Sequence, residues 1–231
     1  MKKGTKFWIY SMAIIIVTSV FTVGCKKEQN NTYSTNLVTD IDGNAYHFKT
    51  IGTQVWMVEN LKVTKYRNGD PIPNVLDGTV WGTLSTGAYC DYDNSPNSTV
   101  YGKLYNWYAI HDSRNIAPTG WHVPSDDDWT RLINYLGGDS VAGGKLKEIG
   151  LTHWQSPNAG ATDEKGFTAL PGGSRIYGTF IGVNLSGNWG STTESYSYSF
   201  ALYRNINYDD INVHRYQGSK NNGLSVRCIR D

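Results

Sequence analysis

Two patterns of hydrophobic and polar positions alternate along this chain, and each predicts a different kind of element. Short runs of apolar and polar residues, 37–40 and 45–48, lie on either side of Asp42-Gly43. An Asp-Gly pair between two such runs is a strong hairpin signal, because glycine accepts the positive φ of a tight turn. Residues 54–58 form a further, mainly apolar run. The N-terminal part of the domain therefore predicts a hairpin followed by a further strand.

Helical periodicity appears in the middle of the chain. Residues 101–110 predict a helix with large apolar residues on one face. Residues 126–136 predict a better-defined helix, with Ser125 as its N-cap, acidic residues on its first turn and apolar residues at i, i+3, i+4 and i+7. A short third helix is predicted over residues 140–149.

After Gly150 the pattern changes to glycine-rich turns and short apolar runs. The strands predicted there are residues 167–170, 182–185, 198–202, 211–216 and 224–229. Helices followed by short, mostly antiparallel strands with much intervening loop indicate an α+β domain.

The first 25 residues carry the pattern of a lipoprotein signal. A basic start is followed by an uncharged stretch, residues 7–23, and then by Gly24-Cys25, which is how a bacterial lipobox ends. The alternative is a membrane-spanning anchor. That alternative is disfavoured because a span needs about 20 apolar residues and this stretch also contains serine and threonine.

The sequence thus divides into three parts. Residues 1–24 are the predicted signal peptide, residues 25–36 a polar tether lipidated at Cys25, and residues 37–231 one globular domain. We expect a cell-envelope protein, an outer-membrane lipoprotein on the periplasmic or the surface face, whose N-terminal lipid makes the membrane its partner.

Composition narrows the function classes. The formal net charge is +1, and no cluster of lysine and arginine follows the signal, so nucleic-acid binding is not expected. The chain has 16 Tyr, 8 Trp and 25 Gly, which indicates a core built from aromatic rings between short strands and turns.

Cys90 and Cys228 are the cysteines that remain after the predicted lipidation site. In an oxidising compartment they favour a disulfide, which would stabilise the fold by roughly 4 to 5 kcal/mol. Two alternatives stay open: a metal site, although the spacing of zinc ligands is missing, and two separate free thiols. No metal or cofactor is predicted.

Eight sequence blocks, among them Gly-Trp-His-Val-Pro-Ser at residues 120–125 and Ser-Val-Arg-Cys at residues 225–228, resemble those of a known family in the same order. The others are residues 40–44, 54–61, 101–107, 142–147, 166–173 and 189–194. The family is the Fibrobacter succinogenes major paralogous domain. The resemblance implies an envelope lipoprotein with a C-type-lectin-like fold, in the version shared with formylglycine-generating enzymes, and no assigned activity.

No constellation of catalytic residues stands out. The five histidines are dispersed, and the sequence contains neither the Gly-x-Ser-x-Gly motif of hydrolases nor the His-Glu-x-x-His motif of metalloproteases. The calcium-binding triplets of sugar-binding lectins and the paired cysteines of formylglycine-generating enzymes are also absent. We therefore expect a non-catalytic recognition or adhesion module for a polysaccharide or a protein. The alternatives are an oxidoreductase or accessory protein like the formylglycine-generating enzymes, and a structural envelope component.

Loop segments supply the candidate ligand-binding residues, because flat rings next to polar side chains suit sugar or protein surfaces. More than half of the loop rings are expected to be buried, with Trp189 among them. The candidates are Trp81, Tyr92, Tyr177, Trp189, Glu194 and Tyr208, and Tyr89, Tyr196 and Tyr216 lie in similar segments.

Overall fold

The computed structural model describes residues 1, 4, 36–95 and 98–231. The architecture below is that of the unit Thr35–Asp231. The predicted signal peptide, Cys25 and the tether lie outside the described residues, apart from residues 1, 4 and 36. Among the described residues, no helix has both the length and the apolar character that crossing a membrane requires.

Short elements joined by long loops build this unit. The helices are α1 (Gly78–Gly82), α2 (Ser98–Tyr101), α3 (Trp107–Ile110), α4 (Asp126–Tyr135) and α5 (Asp139–Leu146). The strands are β1 (Leu37–Thr39), β2 (Ala45–Ile51), β3 (Gln54–Met57), β4 (Tyr89–Cys90), β5 (Leu104–Tyr105), β6 (Trp121–His122), β7 (Gly172–Ile176), β8 (Thr179–Val183), β9 (Ser186–Glu194), β10 (Phe200–Asn207), β11 (His214–Ser219) and β12 (Ile229–Arg230).

Two five-stranded sheets organise the described strands. The first has the order β1-β2-β3-β12-β6 and is antiparallel throughout, so the C-terminal strand pairs with strands from the start of the domain. The second has the order β11-β10-β9-β7-β8 and is antiparallel except between β7 and β9. This mixture of helices and mostly antiparallel strands confirms the α+β prediction.

The predicted N-terminal hairpin is present. β1 and β2 pair antiparallel, and Gly43 in the turn has a φ of 86°. Asp40 organises the turn, because its Oδ1 accepts from the backbone N–H groups of Asp42 and Asn44, each at 3.0 Å. Its Oδ2 accepts from the Tyr46 hydroxyl at 2.6 Å. A short polar side chain thus replaces the ladder hydrogen bonds that a tight turn cannot make.

α4 confirms the best-defined helix prediction. Ser125 and Asp128 form a capping box, in which the side chain of each residue accepts from the backbone N–H of the other. Trp129, Leu132 and Ile133 are buried on one face. α5 confirms the third predicted helix with slightly different bounds.

The helix predicted over residues 101–110 is wrong. Gly102 has a φ of 75°, and a Cβ there would lie 2.6 Å from the Asn60 Cβ, so the chain turns sharply instead of continuing a helix. β5 follows, and Asn106 then caps the one-turn helix α3 by accepting from the Ala109 N–H at 3.0 Å. Apolar periodicity over ten residues therefore reflects burial of two separate short elements.

The C-terminal strands were predicted only in part. Residues 167–170 form no strand beyond a single bridge from Ala169 to Lys147. The pattern of apolar residues did not predict β7 or β9. Both missed strands are rich in glycine, which carries no periodicity. Glycine is needed there because a Cβ at Gly187 would lie 2.2 Å from the Trp189 ring.

Aromatic rings form the centre of the core, as the composition indicated. Trp129 lies 4.8 Å from Trp56, 6.1 Å from Trp189 and 5.9 Å from Phe167 between ring centroids. All four rings are at most 1 % exposed. Offset and edge contacts of this kind add to the burial of large apolar area.

Candidate functional site

Three residues from different family-like blocks meet in the protein interior. The Asn60 Oδ1 accepts from Trp189 Nε1 at 2.9 Å and from Arg227 Nη2 at 3.0 Å and Nε at 3.2 Å. The Asn60 Nδ2 in turn donates to the Tyr101 carbonyl at 2.8 Å. We call Asn60, Trp189 and Arg227 the buried polar knot.

The buried polar knot is a structural feature and not a binding site. Arg227 is fully buried, donates also to the carbonyls of Phe167 and Thr168, and lies over the Phe167 ring at 4.2 Å. Burial lowers the pKa of its guanidinium. Because its bonded acceptors are neutral oxygens, Arg227 ties loops together without presenting charge to solvent.

The predicted disulfide is contradicted. Cys90 and Cys228 are both free thiols, and both are buried. Cys90 packs in a cluster with Trp81 and Leu104, whereas Cys228 packs in a separate cluster with Tyr46. Burial raises the pKa of Cys90 to about 11 and that of Cys228 further. The open alternative of two separate buried thiols is the one the structure contains.

Two of the aromatic ligand-binding candidates are corrected. Trp81 and Trp189 have no exposed surface, since each belongs to a core cluster and its indole N–H donates to a protein acceptor. Tyr92 and Tyr208 are half-buried: Tyr92 packs on Phe180 at 5.3 Å, and Tyr208 packs against the tryptophan cluster.

The other candidates reach solvent. Tyr177 is 74 % exposed at the β7–β8 turn, and Tyr196 and Tyr216 are 107 % and 45 % exposed. Three of the eight loop rings are buried, namely Trp81, Tyr89 and Trp189. The expectation that more than half would be buried is therefore wrong, although the burial expected for Trp189 is confirmed.

Glu194, Tyr196 and Tyr216 come together in one cleft of about 640 Å³. We call it the β9–α4 cleft, because the end of β9, the loop after it and the first turn of α4 line it, together with residues of β10 and β11. β9 places three residues opposite a single residue of β10 between the pairs Glu194–Ala201 and Gly190–Tyr203. Such a bulge bends a strand and re-aims its side chains. It brings the Thr193 hydroxyl to the α4 start, where it accepts from the Asp126 N–H at 2.9 Å.

Asp126 forms the floor of the cleft. Its Oδ1 accepts from Arg204 Nη2 at 2.7 Å and its Oδ2 from Arg215 Nε at 2.9 Å. Arg204 and Arg215 are direct partners across β10 and β11, so sheet register sets both guanidinium groups against one carboxylate. Asp126 also benefits from its place on the first turn of a helix.

The rim of the cleft is tied by polar contacts. The Lys220 ammonium donates to Glu194 Oε1 and lies 4.1 Å from the centroid of the Trp107 ring. The Ser195 hydroxyl donates to Gln217 Oε1 at 2.6 Å. These contacts connect the end of β9 and the loop after it to β11 and to Lys220, which follows β11. They hold this side of the cleft in place.

The two tyrosines of the cleft differ in support. Tyr216 stacks on His214 at 5.6 Å with an interplanar angle of 8°, and Tyr203 lies 5.8 Å away. Tyr196 projects fully into solvent. The Tyr216 ring is therefore supported by two neighbouring rings, whereas the Tyr196 side chain is surrounded by solvent.

Sequence reasoning named Glu194, and Tyr196 and Tyr216 among the loop rings, but it did not place them in one site. Asp126 was recognised only as a helix-capping charge, and Arg204, Arg215 and Gln217 were not singled out. The single usable signal was the acidic first turn of α4, because strand register and the β9 bulge depend on pairing between distant segments.

No group of three or more His, Cys, Asp or Glu side chains within the described residues is arranged to hold a metal ion.

Comparison with known proteins gives one finding. The sequence model of the Fibrobacter succinogenes major domain matches residues 50–230. No curated protein and no solved structure gives a match. The matched region includes every residue of the buried polar knot and of the cleft described above, and it spans more than three quarters of the chain. The chain therefore belongs to the Fibrobacter succinogenes major domain family.

Proposed function

We propose that this protein is a lipid-anchored component of the cell envelope whose domain is a non-catalytic recognition module for a polysaccharide. The observation that carries the proposal is the β9–α4 cleft, an open space of about 640 Å³ bordered by Tyr196 and Tyr216. Its size falls in the range of small-ligand sites.

The lining of the cleft suits a sugar. Tyr216 offers a supported flat face and a hydroxyl, and Tyr196 offers the same groups without any burial. Tyrosine provides large contact area at low conformational-entropy cost, and hydroxyl and amide groups satisfy sugar hydroxyls. Ser195 and Gln217 place such groups beside the rings.

We propose also that the α+β fold is of the C-type-lectin-like kind. Support comes from the helix pair α4 and α5 ahead of the second sheet, and from β12 closing the first sheet next to β3. In that arrangement the long loops are free to form a recognition surface.

The anchor supports the same function. The lipobox-like Gly24-Cys25 would place the tether at the membrane and leave the domain outside it. A recognition surface held at the outer membrane would meet envelope or extracellular polymers at high local concentration.

The recognition proposal is tested with the full-length chain in detergent, applied to a glycan array and to a pull-down of envelope extract. We expect glycan binding that Tyr196→Ala weakens by about tenfold. Tyr177→Ala is the matched control, because Tyr177 is comparably exposed but does not line the cleft. Binding to a protein alone, or glycan binding that both variants lower equally, would contradict it.

The anchor is tested separately by Cys25→Ala. We expect the variant to leave the membrane fraction and to keep the unfolding midpoint of the wild-type domain. Retention of the variant in the outer-membrane fraction would contradict lipidation at Cys25.

A further inference from the structure

We propose that the β9–α4 cleft selects uncharged sugar units and rejects acidic ones. This inference rests on the proposed function, since it names the ligand class of the same cleft. The charged groups of the cleft carry it, because nearly all of them already have partners within the protein.

Asp126 is fully engaged. Both of its carboxylate oxygens accept from arginines, Arg204 at 2.7 Å and Arg215 at 2.9 Å. Arg204 is 2 % exposed, so its charge is held within the protein. Asp139 lies 4.0 Å from the other Nη atom of Arg204, but its side chain is 68 % exposed and does not line the cleft.

Glu194 is engaged as well. Lys220 donates to it from a side chain that is only 10 % exposed and that is also held against the Trp107 ring. Asp127 is the third carboxylate of the lining and lies exposed on the first turn of α4. The lining thus holds three carboxylates, Asp126, Asp127 and Glu194, and one cation, Arg215, whereas Arg204 and Lys220 pair with Asp126 and Glu194 from outside the lining. The lining itself is therefore negative.

These charged groups determine which ligands can bind in the cleft without breaking an ion pair. An acidic sugar would meet these carboxylates, and to gain a cation it would have to take Arg215 from Asp126, which would keep only Arg204, or Lys220 from Glu194, which would be left unpaired. A neutral sugar breaks no ion pair.

Neutral contacts remain available. Gln217 accepts from Ser195 through Oε1, and its Nε2 has no acceptor among the described residues. The hydroxyls of Tyr196 and Tyr216 flank the same space. A neutral sugar ring can therefore stack on a tyrosine and exchange hydrogen bonds without altering the electrostatics of the cleft.

Affinity electrophoresis of the full-length protein in detergent tests the inference with two soluble polymer classes: neutral laminarin and mannan, and acidic polygalacturonate. We expect a neutral polymer to bind, with a dissociation constant that changes by less than about twofold between roughly 50 and 500 mM NaCl. Tyr196→Ala should weaken that binding about tenfold, and Tyr177→Ala should leave it unchanged.

Glu194→Gln sharpens the test by removing the partner of Lys220. The freed ammonium should give the cleft affinity for polygalacturonate that the wild type lacks, and salt should abolish it. Wild-type binding of polygalacturonate with an affinity comparable to that for a neutral polymer, strong salt dependence of neutral binding, or no gain in Glu194→Gln would overturn the inference and leave the recognition proposal standing. Binding of neither polymer class would refute the recognition proposal itself.

Discussion

Replacing Asn60 by alanine removes the acceptor at the centre of the buried polar knot. The Trp189 indole N–H, 2.9 Å from Asn60 Oδ1, loses its partner, and so do Nε and Nη2 of Arg227. The Tyr101 carbonyl loses the Asn60 amide donor at 2.8 Å. Asn60 is 3 % exposed, so solvent does not replace these bonds directly.

The expected cost follows from those losses. A buried neutral donor left unpaired costs about 1–3 kcal/mol, and each hydrogen bond to a charged group contributes about 1.5–3 kcal/mol. Arg227 keeps the carbonyls of Phe167 and Thr168, which limits its share. We expect Asn60→Ala to lower the free energy of unfolding by about 3–5 kcal/mol, a large part of the roughly 5–15 kcal/mol that a domain possesses.

Equilibrium unfolding in urea, followed by tryptophan fluorescence, measures this loss, and the melting temperature should fall by roughly 6 to 20 °C. Asn74→Ala is the matched control, because Asn74 is exposed and its side chain makes no hydrogen bond to the described residues, so the change in stability should be less than about 0.5 kcal/mol. A double-mutant cycle with Trp189→Phe should show coupling of about 1 kcal/mol. A loss below about 1 kcal/mol for Asn60→Ala would refute the reasoning.

Three further predictions concern other parts of the domain. Burial lowers the pKa of Lys147 from 10.5 to about 8, so the unfolded chain binds more protons between those values. The free energy of unfolding of the wild type, relative to Lys147→Met, should therefore rise over that window in urea titrations, and a flat difference would contradict it. Ser125→Ala should cost about 1 kcal/mol in the same assay, since it removes the α4 capping box; an unchanged midpoint would count against that role. Cys90 and Cys228 should resist alkylation in the native protein and react after unfolding, as mapped by mass spectrometry, whereas recovery of a linked peptide would show a disulfide.

Local chemistry made part of the fold predictable. The hairpin at Asp40 and the start of α4 at Ser125 were identified correctly, because a turn or a cap is satisfied by side chains within a few residues of it. The same holds for the family, whose blocks of residues stand in order along the chain.

The helix predicted over residues 101–110 shows where local reasoning fails. Leu104 and Ile110 are buried, but Gly102 packs against Asn60, a residue more than forty positions earlier, and that contact forces a turn. The predicted disulfide fails for a related reason: compartment and cysteine number favoured it, whereas the packing of Cys90 and Cys228 in separate clusters was not visible in the sequence.

By itself, the sequence determined the α+β class, the capped helix α4, the aromatic character of the core and the family. Only the tertiary structure decided that Trp81 is core, and that Glu194, Tyr196 and Tyr216 share a cleft with Asp126. The physical reason is that exposure and charge pairing depend on strand register and on a bulge in β9. Both are set by contacts between segments far apart in the chain, and no local pattern encodes them.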